Sequence, residues 1–158
     1  EEDMSRFLQK YPESRAFYVK KKIKTYGIGC FSGLELHQTR CTLRELADAG
    51  ENMADKARLD KKFYFVSAMP GPKDAYDLFL LTDPDTAGSP AMTADFISFH
   101  GPHFGDRYKI LGTAMDCLAA GHVPVILAGC TGASISLVVP AGRGQDAQNA
   151  LASGFESP

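Results

Sequence analysis

The chain has 158 residues, 44% of them hydrophobic and 23% charged, a composition typical of a globular protein with one domain or two small domains sharing a core. Its net charge of −2 argues against a dedicated nucleic-acid-binding protein, and no apolar run approaches the ~18 residues of a membrane span. The sequence has no signal-peptide pattern, and its four cysteines lack C-x-x-C spacing, so we expect free thiols and a cytoplasmic location. Because the first residue is Glu1 rather than Met, the chain is a candidate fragment of a longer protein.

The N-terminal region predicts a short helix followed by a strand. Residues 1–16 are assigned to a packing helix, which Asp3 would cap and Pro12 would stop, with an apolar stripe of Met4, Phe7, Leu8 and Tyr11. The chain from Phe17 to Ile28 is β-rich, and three lysines lie on one side of that strand, at Lys20, Lys22 and Lys24. This pattern favours a solvated edge strand protected by its charges, with a phosphate or nucleic-acid contact as the alternative.

A glycine turn followed by a helix is predicted next, and it is the first of two such arrangements. Gly29-Cys30-Phe31-Ser32-Gly33 has the Gly-x-x-x-Gly spacing that recurs from Gly101 to Gly105, an offset of 72 residues from Gly29 to Gly101. An apolar stripe follows each glycine pair, and the two stripes keep the same offset of 72 residues. In that order, the first stripe consists of Leu36, Leu43, Leu46 and Ala47, and the second of Tyr108, Met115, Leu118 and Ala119. We therefore expect an internal repeat, with one unit at 17–92 and another at 93–158.

Two strands without a helix between them complete each predicted unit. In the first unit these strands are Phe63–Ala68 and Tyr76–Leu81, and charged residues 51–62 form an extended helix end and a loop before them. Aligning Tyr76 with Ser134 gives an offset of only 58, so the first unit has 72 − 58 = 14 additional residues after its helix. Residues 83–90 are predicted to be a turn-rich linker between the units.

The second unit is the most regular stretch of the sequence. Phe96–His100 alternates apolar and polar residues as a strand does, and the glycine turn follows it. Asp106 is an N-cap candidate for a helix that ends at Gly121. The remaining elements are strands at Val123–Leu127 and Ser134–Val139, joined by a turn at 129–133, and a closing helix from Asp146 to Phe155.

The order strand, helix, strand, strand, helix is most of a ferredoxin-like unit, an antiparallel sheet with helices on one face. The sequence resembles the paired ACT units at the regulatory end of aspartokinases. The closest stretches are Phe96–Gly101, Leu118–Gly121, Ser134–Val139 and the helix from Asp146. It departs from that family in lacking a Pro-Gly pair at the start of the first helix and a second helix in the first unit. We therefore expect an α+β protein of two tandem ferredoxin-like, ACT-like units, without a kinase catalytic domain.

The resemblance implies a non-catalytic regulatory module that binds an amino acid or a similar small metabolite at the turn between strand and helix. A helix N-terminus offers unpaired backbone N–H groups and partial positive charge, and glycines let a ligand approach the main chain. The carboxylate of an amino acid would use those donors, while Asp106 would meet its ammonium group. The expected ligand-binding residues are Gly101, His103, Gly105, Asp106, Cys130, Thr131, Gly29 and Gly33. Units of this size are marginal alone, so a homodimer is also expected.

Other interpretations stay open at this point. A small enzyme would use Cys130 as a nucleophile with His103 and Asp106. A dimerisation or interaction module would bind no ligand, and its glycines would serve only positive φ and close packing. A phosphate-binding turn and a metal site are disfavoured because neither has diagnostic spacing, the candidate ligands being His100, His103, His122 and Cys130. No cofactor, metal, nucleic acid or membrane is expected as a partner.

Overall fold

The computed structural model describes residues 22–102, 104 and 109–158. The predicted helix at 1–16 and the site candidates His103, Gly105 and Asp106 lie outside the described residues. Eight strands and three helices are seen in the described part. In chain order they are β1 Ile23–Lys24, β2 Ile28–Cys41, α1 Leu43–Ala57, β3 Phe63–Pro70, β4 Tyr76–Thr82, β5 Met92–His100, α2 Ile110–Ala120, β6 Leu127–Cys130, β7 Ser134–Pro140, α3 Gly144–Leu151 and β8 Phe155–Glu156.

Six strands form one antiparallel sheet in the order β3-β4-β2-β5-β7-β6, and the short β1 and β8 pair in parallel beside it. Alternation along the ladders places Leu80, beneath α1, and Ile97, beneath α2, on the same side of the sheet. The helices therefore lie on one face, and the predicted α+β class with ferredoxin-like units is confirmed. Among the described residues, no helix is long and apolar enough to cross a membrane.

The two halves of the sheet have the same element order and the same pairing register. Glu35 pairs with Thr82 in the first half, and Ala94 pairs with Pro140 in the second. The corresponding positions are therefore 94 − 35 = 59 and 140 − 82 = 58 residues apart. The pairs at the opposite ends of these two ladders give the same two offsets. The offset of 58 read from the later strands matches this register, whereas the offset of 72 read from the glycines does not.

The first glycine turn was predicted wrongly, because Gly29 to Gly33 lie inside the 14-residue strand β2. Gly29 pairs with Ser98 of β5, and the register shifts between Phe31 and Leu34, so the glycine with positive φ at position 33 makes a bulge. A bulge lets the strand continue where a turn would have ended it. Residues near 29 and near 101 are consequently not equivalent corners of two like units.

The first helix also begins later than the predicted stripe, which placed Leu36 in it. Leu36 belongs to β2, and α1 starts after Thr42, whose side chain accepts a hydrogen bond from the Glu45 amide at 3.2 Å. The Glu45 carboxylate accepts in return from the Thr42 amide at 2.9 Å. This reciprocal capping box fixes where the strand gives way to the helix.

The second half follows the prediction more closely, with differences at the element ends. β5 and β7 contain the predicted strands, but the strand after α2, β6, is Leu127–Cys130 rather than Val123–Leu127. Val123 instead packs in the core directly after α2, and its amide donates to the carbonyl of Leu118. The closing helix is also shorter than predicted, because Phe155 lies in β8, where its ring is buried against Phe99.

Two apolar clusters cover opposite faces of the sheet. The larger one lies between the sheet and the helices α2 and α3, and it includes Ile97, Phe99, Leu118, Leu137 and Leu151. The other face has Leu34, Leu36, Leu81, Ala94, Phe96 and Val138, with Tyr64 and Phe65 packed on them. Neighbouring residues of β5 thus enter different clusters, and this central strand is buried on both faces.

The two edges of the sheet approach each other over the second cluster. Phe65 of β3 packs on Gly129 of β6, where an added Cβ would lie 3.0 Å from the ring. The Tyr64 ring lies 6.0 Å from that of Phe96, and its hydroxyl donates to the Asp83 carboxylate at 2.9 Å. Burial raises the pKa of the Tyr64 phenol, and the carboxylate beside it raises the pKa further. Curling of the sheet therefore closes the face that carries no helix.

Candidate functional site

A cavity of about 370 Å³ lies in the second half, between the start of α2 and the turn joining β6 to β7. Cys130 and Thr131, two of the expected ligand-binding residues, line it from the β6–β7 side. His103, Gly105 and Asp106 lie outside the described residues, in the segment that leads from β5 to α2. The described residues lining the cavity are Phe104, Lys109, Ile110, Leu111, Gly112, Cys130, Thr131 and Gly132.

The start of α2 supplies the polar character of one wall. The first amides of a helix have no intrahelical acceptor, so the N–H groups of Ile110, Leu111 and Gly112 are candidate donors to a ligand. Lys109, at the N-cap, adopts a left-handed conformation with φ of 64° and makes no side-chain cap. Its ammonium group and the helix dipole together favour an anion at this end of the cavity.

The β6–β7 turn forms the opposite wall and is held by its own side chains. The Thr131 hydroxyl lies 3.0 Å from the Ser134 hydroxyl and accepts from the Ser134 amide at 3.2 Å. The Thr131 amide donates to the Ser134 carbonyl at 3.0 Å. Cys130 is exposed, and its thiol donates to the Thr131 carbonyl at 3.4 Å. The wall is therefore preformed, with a hydroxyl and a thiol at its rim.

Gly101 has a packing role that the sequence could not reveal. A Cβ at this position would collide with the carbonyl oxygen of Lys24 and would lie 2.6 Å from the ring of Phe104. The Tyr26 amide donates to the neighbouring carbonyl of His100 at 2.9 Å, and the rings of these two residues lie 5.1 Å apart. The glycine thus lets the end of β5 pass closely beneath the segment joining β1 to β2.

Gly29 and Gly33 do not line this cavity, and both have structural environments in β2. The Gly33 amide donates to one carboxylate oxygen of Asp95 at 3.3 Å. The other oxygen of Asp95 accepts from the amides of Gly142 at 3.1 Å and Gly144 at 2.9 Å. Asp95 is only 2% exposed, so this carboxylate ties the β2 bulge to the start of α3 inside the protein.

The other candidate chemistries find little support in the described residues. Within 22–102, 104 and 109–158, no group of three or more His, Cys, Asp or Glu side chains could hold a metal ion. His122 follows the C-cap residue of α2 with φ of 53°, and its carbonyl accepts from the Arg143 guanidinium. The nucleophile interpretation of Cys130 depends on His103 and Asp106, which are not among the described residues, so it stays a prediction.

Sequence reasoning missed Phe104, Lys109 and Gly112 as lining residues. The predicted apolar stripe of the second helix contained Met115, Leu118 and Ala119, but of these only Leu118 is buried, together with Ile110, Ala114 and Cys117. Leu111 is consequently turned partly toward the cavity, and Gly112 lies beside it. The usual sequence signals of a helix start are missing at α2, because Lys109 makes no side-chain cap and the first turn has no acidic residue.

Comparison with known proteins shows which fold this is. No model of a known family and no curated protein matches the sequence. The structure is similar to the ligand-free regulatory subunit of aspartate kinase from Thermus thermophilus, with a TM-score of 0.67 and 12% identity over 86% of this chain and 100% of that one. The regulatory subunit from Thermus flavus gives 0.64 and 11% identity over 85% and 99% of the two chains.

Whole aspartate kinases contain the same arrangement as a part. The enzyme from Synechocystis is similar with a TM-score of 0.63 and 15% identity, over 90% of this chain and 29% of that one. Identities this low show the fold alone. The chain therefore has the fold of the ACT-containing regulatory region of aspartate kinases, as the sequence predicted.

Proposed function

We propose that this chain is a non-catalytic regulatory module made of two tandem ACT-like units, and that it binds an amino acid in the cavity between α2 and the β6–β7 turn. The observation that carries the proposal is the pairing, in one cavity, of a helix N-terminus beside Lys109 with the preformed turn at Cys130 and Thr131. The similarity to aspartate kinase regulatory subunits supports the same proposal.

The proposed arrangement of the ligand follows from the charges of the two walls. The carboxylate would accept from the first amides of α2 and from Lys109, since unpaired N–H groups and positive charge converge there. Gly101, His103, Gly105 and Asp106 belong to the segment leading into that helix, and Asp106 would meet the ammonium group. Cys130 and Thr131 would contact the ligand from the opposite wall.

A regulatory role requires that the ligand favour one arrangement of the molecule over another. We propose that the module works as a homodimer. Apolar side chains that a second copy could cover are exposed in the described part, including Leu43 at 65% and Leu59 at 71%. These exposed residues also favour the alternative function, a ligand-free interaction module.

A thermal-melting screen with the twenty amino acids tests the proposal. A ligand at 100 times its dissociation constant stabilises the folded state by about 2.7 kcal/mol. For a chain of this length that raises the melting temperature by roughly 5–10 °C. Lys109→Met, which keeps the aliphatic stem, should remove most of the shift, and Lys62→Met at an exposed position serves as its control. No shift with any amino acid at millimolar concentration would favour the ligand-free module.

A further inference from the structure

A second and larger cavity lies in the first half of the molecule. It is an open cleft with a volume of about 540 Å³, lined by α1, the strands β3 and β4, and the segment that follows β4. This size is within the range of small-molecule sites. The described residues that line it are Ala49, Asn52, Met53, Lys56, Phe63, Leu80, Asp85, Thr86, Ala87 and Gly88.

The helix above this cavity, α1, is packed less closely onto the sheet than α2, the corresponding helix of the second half. None of the 15 residues of α1 is buried, whereas α2 buries four residues. The sheet-facing side of α1 is only half-buried, and it consists of Leu46, Ala49, Met53 and Lys56. The apolar stripe of such a helix is only partly removed from water, and a ligand bound beneath the helix could bury the remaining apolar surface.

Two buried polar atoms have no hydrogen-bond partner among the described residues, the Thr86 hydroxyl and Nε2 of His37. Thr86 lines the cavity and is 2% exposed. His37 pairs across the ladder with Leu80, which also lines the cavity, and its ring nitrogen lies 3.5 Å from the Glu35 carboxylate without hydrogen-bond geometry. Unpaired buried polar groups carry a desolvation cost that a ligand can relieve.

The charges on the cavity walls indicate the class of ligand. Lys56 comes from α1 and Asp85 from the segment after β4, and neither makes an ion pair with a described residue. Phe63 and Leu80 provide apolar surface in the same cavity. One cation, one carboxylate and an apolar wall match a molecule with a carboxylate, an ammonium group and an apolar side chain.

We propose that this cavity is a second ligand site, separate from the one between α2 and the β6–β7 turn, and that it takes an amino acid with a large apolar side chain. The ligand carboxylate binds Lys56, its ammonium group binds Asp85, and its side chain packs on Phe63 and Leu80 beneath α1. The hydroxyl of Thr86 then gains a polar partner. This site does not depend on the function proposed for the second half.

Glycine amides report on the two cavities separately. Gly88 lines the first-half cavity, whereas Gly112 and Gly132 line the second-half cavity. The chain is labelled with ¹⁵N-glycine and titrated with leucine, methionine and phenylalanine, each compared with analogues that lack the amino or the carboxylate group. We expect saturable movement of the Gly88 signal with at least one of the three amino acids, and at least a tenfold weaker response to both kinds of analogue, because each loses a charge-assisted bond.

Two variants complete the experiment. Lys56→Met keeps the aliphatic stem that covers the cavity and should weaken binding at Gly88 by about tenfold or more, since it removes one charge-assisted bond. The same substitution at exposed Lys62 should leave the affinity unchanged. Thr86→Val should also weaken binding, while the unliganded variant melts no lower than the parent because an unpaired hydroxyl is replaced by a methyl group.

Several outcomes would overturn the second site. These are a Gly88 signal that stays still at millimolar amino acid, a response that survives Lys56→Met unchanged, and analogues that bind as well as the amino acid. Movement of Gly112 and Gly132 without Gly88 would refute this site and leave the proposed function standing. Movement of Gly88 alone would support this site and count against the proposed location in the second half.

Discussion

Replacement of Asp95 by asparagine should be among the most damaging conservative changes in the described part of the chain. The carboxylate accepts from the amides of Gly142 and Gly144 at 3.1 and 2.9 Å, and from that of Gly33 at 3.3 Å. Hydrogen bonds to a charged group contribute about 1.5–3 kcal/mol each. Asparagine can keep one acceptor oxygen on the closer pair, but its NH₂ group then faces the Gly33 amide, another donor.

Loss of the charge from two bonds and of the acceptor from a third gives an expected destabilisation of about 3 kcal/mol for Asp95→Asn. Urea denaturation measures it directly, since at a slope of about 2 kcal/mol/M the midpoint should fall by roughly 1.5 M. Asp77→Asn is the control, because its partner Arg40 is largely exposed and the pair should contribute at most about 1 kcal/mol. A loss below about 1 kcal/mol for Asp95→Asn, with an unchanged slope, would refute the reasoning.

Three further predictions concern packing, capping and thiol access. Gly101→Ala should cost about 1–3 kcal/mol because its methyl group meets backbone, while Gly132→Ala, with open space around it, should stay within about 0.5 kcal/mol in the same urea experiment. Thr42→Ala should lower stability by about 1 kcal/mol through loss of the capping box, seen as a lower midpoint, and an unchanged midpoint would mean that the box is not formed. A maleimide should label exposed Cys130 before Cys30, since burial raises the pKa of the Cys30 thiol; faster labelling of Cys30 would contradict the placement of β2.

The sequence was most informative where a single local pattern decided the structure. Alternation predicted the strand at Phe96–His100 and an apolar run predicted the strand at Ser134–Val139, and both lie within observed strands, β5 and β7. The alternation does not mark one wet face, however, because β5 is buried on both faces. The offset of 58 between Tyr76 and Ser134 matches the register of the ladders, because paired strands fix their positions residue by residue. These features were enough to predict the fold class correctly.

Glycine spacing misled because a glycine can serve a bulge as well as a turn. Gly33 has a positive φ in both a turn and a bulge, and long-range contacts distinguish them: β2 continues to pair with β5 on both sides of it, and its amide donates to Asp95, 62 residues away. The capping box at Thr42 and Glu45 was a local signal that would have placed the start of α1 correctly. The predicted apolar stripe instead began at Leu36, which is a core residue of β2.

The two cavities differ in how far the sequence could foresee them. Cys130 and Thr131 were expected opposite the glycine turn of the second half, and they line a cavity there because β6 ends beside the start of α2. The cavity beneath α1 could not be foreseen, since it depends on how far a helix stands from the sheet. Thr86, in a segment predicted only as a linker, becomes significant through its burial without a partner.

The most direct test of the proposed function is the ¹⁵N-glycine spectrum of the chain with the amino acid that raises its melting temperature most. Binding at the start of α2 predicts saturable movement of the Gly112 and Gly132 signals, with the affinity weakened at least about tenfold by Lys109→Met. If these two signals remain fixed while the melting temperature rises, the amino acid binds elsewhere, and the proposed site is wrong.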